Sequence, residues 1–96
     1  MCLGIPGQIV EILDEEIYLA KASVGGVRRN INIGLVHHDE QRIEVGDWVL
    51  IHVGFAMSKI SEQAAAEQMR TLALLGEVQA ALDEVSGYGQ ADEAQP

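Results

Sequence analysis

At Ser61 the sequence changes texture, and that change constrains the fold more than any other feature of the chain. Ahead of it lie short runs rich in Ile and Val, cut by Gly and acidic turns. Behind it the residues are mostly Ala, Glu, Gln, Met and Leu, all good helix formers. Gln8 to Leu13 is a short apolar run, closed by the acidic turn Asp14-Glu15-Glu16 and followed by a second run from Ile17 to Val24. Gly25-Gly26 between β-rich runs is a two-residue hairpin signal. After it, Asn30 and Asn32 alternate with Ile31 and Ile33, so these pieces form a β-meander. His37 to Glu44 is polar and irregular. Trp48 to Val53 is almost continuously apolar, which predicts a central strand covered on both faces, and Gly54 ends it.

In the back half, Ser61 is placed to cap a helix, and Glu62 suits the positive end of its dipole. Ala65, Met69, Leu72 and Gly76 fall on one stripe; Leu75, Val78, Leu82 and Val85 continue it, displaced around the axis. The displacement predicts a kinked helix or two short ones. Four or five short strands and a helix in so short a chain leave an edge problem that closure solves. The expected class is therefore mainly β: a small OB-like β-barrel with a C-terminal α-helix. The N-terminal cysteine segment and barrel would span 1–60, the helix 61–86 and a disordered acidic tail 87–96.

Ninety-six residues suit a single domain, and only four are aromatic, so the core must be aliphatic. Fifteen acidic against six basic residues give a formal charge of −9. Nucleic acid and anionic membranes are poor partners for such a chain, because both require Lys and Arg. No apolar stretch approaches the roughly 20 residues that span a bilayer, and no secretory signal is visible. A lone cysteine cannot close an internal disulfide, so a reducing cytoplasm is the expected compartment.

That cysteine, Cys2, is the most informative position for chemistry. With Met1 removed it would carry a free α-amino group beside its thiol, and the ammonium would favour the thiolate. Thiolate is a soft ligand for iron, copper(I) or zinc. On chemistry alone Cys2 stays open between a functional thiol and an incidental exposed one. Gly4, Pro6 and Gly7 punctuate the following segment so closely that neither helix nor regular strand is expected there. Leu3 and Ile5 beside the thiol suit anchors against the barrel or a partner.

His52 lies in the apolar strand. The plain expectation for it is a core residue with one satisfied hydrogen bond; the functional one is a metal ligand or proton donor beside Cys2. Gly54, Phe55, Ala56 and Met57 then offer either a pliable apolar surface or simple core packing. His37-His38-Asp39-Glu40 is discounted as a metal cluster, since neighbours in a loop diverge; a solvated loop is expected. Arg28-Arg29 is expected to be a solvated strand pair. No phosphate loop, nucleophile elbow or Cys-x-x-Cys motif is present. A Cys2–His52 catalytic dyad would need a substrate pocket that so small a chain has little volume to build. The chain is not expected to be an enzyme.

Met1-Cys2-Leu3-Gly4-Ile5-Pro6-Gly7-Gln8 and the stretch from Val45 to Met57, with its His52-Val53-Gly54-Phe55-Ala56 core, together resemble the HypC/HybG family of hydrogenase-maturation chaperones. The resemblance covers about the first 75 residues. It implies an OB-like barrel, partnership with a HypD-type iron–sulfur scaffold protein, and escort of iron to the hydrogenase large-subunit precursor. The iron would carry cyanide and carbon monoxide ligands, and would be shared with the partner. Cys2 matches the family's iron and partner-contact cysteine, and His52 its strand histidine. The resemblance also implies that Leu3, Gly4, Ile5, Pro6, Gly7 and Gly54 to Met57 (Gly54, Phe55, Ala56, Met57) meet partners. Gly25 stands where several relatives carry a second cysteine. The alternative is a structural adaptor that docks maturation proteins without holding metal itself.

Overall fold

The computed structural model describes residues 4–76 and 78–87. Five strands run β1 (Ile5–Asp14), β2 (Leu19–Val24), β3 (Val27–Asn32), β4 (Trp48–His52) and β5 (Phe55–Ile60), followed by helices α1 (Glu62–Leu74) and α2 (Val78–Val85). The strands close a barrel in the order β1-β2-β3-β5-β4, as the expected mainly β class requires. β1 serves both neighbours: Ile5 to Gln8 pair with β4, and Gln8 to Asp14 with β2. Two register shifts along β1 let one strand bend round the barrel corner. A parallel contact, Asn32 opposite Phe55, completes the closure.

The core is aliphatic. Ile5, Ile9, Ile31, Ile33 and Ile51 fill it, and Ala20, Ala22 and Ala56 supply the small residues opposite them. Alternating large and small side chains suit the narrow interior of a five-stranded barrel.

Three expectations need correction. The segment around Pro6 is regular strand, with Pro6 opposite Leu50. β2 pairing begins only at Gln8, so one side of β1 is open there and a residue without an N–H is tolerated. Gly7 is required by space: a Cβ would stand 2.6 Å from Ile51 Cδ1 and 2.9 Å from Val24 Cγ2. β4 is not covered on both faces, because Val49 and Ile51 are buried while Trp48, Leu50 and His52 are half-buried. Finally, Arg29 is not merely solvated. Its Nε donates to the Ser86 carbonyl at 2.9 Å, satisfying an acceptor at the end of α2.

The back half forms two helices. Ser61 Oγ accepts the Ala64 N–H at 3.0 Å, which caps α1, and Ala65 is buried against the barrel. Gly76, with φ of 72°, stands at the break between the helices, a conformation glycine takes freely. α2 packs on β3 and sends Val85 into the core, while Leu82 lies over the β2–β3 turn. A Cβ on Gly25, whose φ is 55°, would lie 2.9 Å from Leu82 Cδ2. Residues 88–96 of the expected acidic tail lie outside the described residues.

Candidate functional site

Cys2 and Leu3 lie outside the described residues. The residues that follow them are well placed. Gly4 holds φ of 141°, and a Cβ there would sit 2.4 Å from Leu50 Cδ2, so only glycine lets the chain pass this close to β4. Ile5 pairs with Ile51. The N-terminal segment therefore enters β1 beside His52, the last residue of β4.

His52 is half-buried. Its Nδ1 is shielded from solvent and has no hydrogen-bond partner among the described residues. This differs from the satisfied core histidine expected from the apolar strand. A buried ring nitrogen without a partner is costly, and it leaves a lone pair or a proton free for a ligand.

Val53 and Gly54 form the two-residue turn into β5, with φ of 52° and 83°. Positive φ at both central residues is the type I′ hairpin geometry, which Asn-Gly adopts best. Val53 is β-branched and strained there. Val53→Asn is expected to stabilise the barrel by about 1 kcal/mol, raising Tm by about 4–8 °C in a thermal melt. Beyond the turn, Phe55 and Met57 are exposed, and Ala56 between them belongs to the core. The register shift opposite Leu50/Ile51 makes Met57 an extra residue, breaking the alternation. That bulge is why the strand is hard to see in the sequence.

A second constellation joins the acidic β1–β2 turn to the loop at His37, which was expected to be solvated. His37 is 6% exposed. Its Nδ1 accepts the Ile43 N–H at 2.9 Å, and its Nε2 meets Glu15 Oε2 at 2.8 Å. Since Nδ1 accepts, the neutral ring carries its proton on Nε2 and donates it to Glu15. Arg42 also donates to Glu15 Oε2, and the Tyr18 ring meets His37 edge-on, 6.4 Å between centroids. Histidine, with acceptor and donor in one flat ring, is the residue that links a loop amide to a carboxylate. No pattern in the sequence announces such a pair, because 22 residues separate the partners. Among the described residues, no group of three or more His, Cys, Asp or Glu side chains is arranged to hold a metal ion.

The His37 hydrogen bond, and next the Arg42 charge, hold the Glu15 carboxyl below its ordinary value of 4.5. A carboxyl depressed in the folded state stabilises it above the ordinary pKa, and the contribution is lost as pH falls through the lowered one. Wild type should therefore melt higher than Glu15→Gln at pH 7, and the gap should close on acidification below 4.5. A constant gap across that range would contradict the role given to the carboxylate.

The fold and site define a class: a small closed β-barrel with exposed apolar residues at a turn and a histidine whose Nδ1 has no hydrogen-bond partner among the described residues. The model of the HupF/HypC family matches residues 1–72. The hydrogenase maturation factor HypC of Rhodobacter capsulatus is 48% identical over 86 residues, covering 90% of each chain. The hydrogenase maturation factor HybG of Escherichia coli K12 is 40% identical over 72 residues, 75% of this chain and 88% of that one. An uncharacterized protein C of the Frd operon of Proteus vulgaris is 46% identical over 94 residues, 98% of this chain and 95% of the other. The chain belongs to the HupF/HypC family.

Proposed function

We propose that this chain is a metallochaperone in nickel–iron hydrogenase maturation, and that it is not itself a catalyst. It helps assemble an iron–cyanide–carbonyl centre on a HypD-type scaffold and delivers the iron to the hydrogenase large-subunit precursor. The iron is cargo. The observation that carries this reading is the unpartnered Nδ1 of His52 beside the start of β1. Cys2 stands two residues before Gly4, where the chain passes against β4, and its thiol is the second ligand in this reading. A thiolate and an imidazole are suitable ligands for iron, and two of them leave positions for ligands from a partner. Cytoplasmic action fits a lone reduced thiol, and no described helix is long and apolar enough to cross a membrane.

The alternative, an adaptor that docks maturation proteins without metal, is favoured by the exposure of Phe55 and Met57. The two readings separate in one experiment. The chain is co-expressed with the scaffold protein and the complex is purified without oxygen. Infrared bands of iron-bound cyanide and carbon monoxide are expected, with about one iron per complex beyond the scaffold's own iron–sulfur cluster. A stable complex that never shows these bands and holds no iron beyond the scaffold's cluster would replace the metallochaperone with the adaptor.

A further inference from the structure

Two residues other than glycine hold a left-handed backbone among the described residues: Tyr18, with φ of 58°, and Val53, with φ of 52°. Both sit at turn tips, and both side chains are exposed, Tyr18 to 44% and Val53 to 61%. A bulky residue in this conformation is strained, and glycine or asparagine would relieve it.

The two turns lie on either side of the end of β3. Consecutive amides at the end of β3 bind the two turns: Asn32 N–H donates to the Gly54 carbonyl at 2.9 Å, and Ile33 N–H to the Tyr18 carbonyl at 2.8 Å. Asn32 Oδ1 then accepts the Gly34 N–H at 2.7 Å, which aims the following loop. Gly34 abuts the Tyr18 ring, since a Cβ there would lie 3.5 Å from Tyr18 Cγ. Leu35, next in the chain, is 60% exposed. One pole of the barrel thus carries Tyr18, Leu35, Val53 and Phe55 as exposed apolar side chains on hydrogen-bonded backbone. A rigid apolar surface of this kind is what protein interfaces use at their centres.

The margin of this pole is acidic. Asp14 and Glu16 flank it in the β1–β2 turn, and Asp39 lines the same shallow depression as Tyr18. The cation in that depression, Arg42, is bound to Glu15. The geometry points to a protein-docking surface formed by Tyr18, Leu35, Val53 and Phe55, whose occupant presents apolar side chains with Lys or Arg at their margin. The inference rests on the proposed function, in which the chain binds a scaffold protein, and assigns that contact a surface from Phe55 across the pole to Tyr18 and Leu35. The strain at Tyr18 and Val53 persists because their side chains are used by the partner.

The test is a titration of the full chain with the purified scaffold protein at two salt concentrations. Tyr18→Asn combined with Leu35→Ser keeps a residue that accepts the left-handed backbone, so the melting temperature should stay within a few degrees of wild type. Affinity should fall at least tenfold. Glu16→Lys with Asp39→Lys should also weaken binding and flatten its salt dependence. Unchanged affinity in both double variants, with wild type binding normally, overturns the docking surface and leaves the proposed function standing. Failure of the wild-type chain to bind the scaffold at all overturns both.

Discussion

Replacing His37 with alanine is expected to cost about 3 kcal/mol of stability, lowering Tm by about 12–24 °C. Two effects add. The Ile43 N–H, on a residue that is 3% exposed, loses its acceptor. An unsatisfied buried donor alone costs about 1–3 kcal/mol. The vanished ring also removes the edge-on contact with Tyr18 and leaves space in a loop whose Val36 and Ile43 belong to the core. His37→Asn offers a sharper reading, because its amide oxygen can stand where Nδ1 stood. It should recover the Ile43 bond but not the bond to Glu15, and so restore about half of the loss. Urea unfolding of the three proteins measures this directly. A loss under about 1 kcal/mol in His37→Ala would mean that the loop packs without its histidine.

The residues that announce the fold are those whose constraints are local. Gly25-Gly26 marks a hairpin because both residues adopt positive φ, and the structure places them there. Ser61 marks the start of α1 because its hydroxyl must satisfy an amide three residues on. The helical stripe Ala65, Met69, Leu72 resolves in the same way, and the displacement near Gly76 corresponds to a real break. What stayed hidden depends on distant partners. Pro6 looks like a strand breaker until one knows that β2 leaves that side of β1 unpaired. β5 is obscured by the bulge at Met57, and the burial of His37 follows from Glu15 and Ile43, neither adjacent in sequence. Of the proposed iron site, His52 was legible as a histidine out of place in an apolar strand. That its Nδ1 has no partner among the described residues is a fact only of the folded chain.

Removal of the Cys2 thiol should have the largest functional effect of any single substitution. The barrel begins at Ile5, so Cys2→Ala is expected to leave the melting temperature within about 3 °C of wild type. Iron with cyanide and carbonyl bands in the complex should fall to background, and hydrogenase maturation with it. Scaffold binding should survive in part, because the apolar residues at the β4–β5 turn remain. The companion variant His52→Leu separates the second ligand from the first. Leucine fills similar space and removes a buried nitrogen that finds no partner, so stability should hold or rise by up to about 1 kcal/mol. A residue whose removal stabilises the fold contributes something other than stability, and the proposed contribution is a ligand for the cargo. His52→Leu should therefore reduce the cyanide- and carbonyl-ligated iron per complex several-fold while partner affinity stays near wild type. Full iron occupancy in His52→Leu would remove the histidine from the site and leave Cys2 to hold the metal with the partner alone. Full occupancy in Cys2→Ala would remove the thiol from the site, and full occupancy in both variants would remove the metal from this chain altogether.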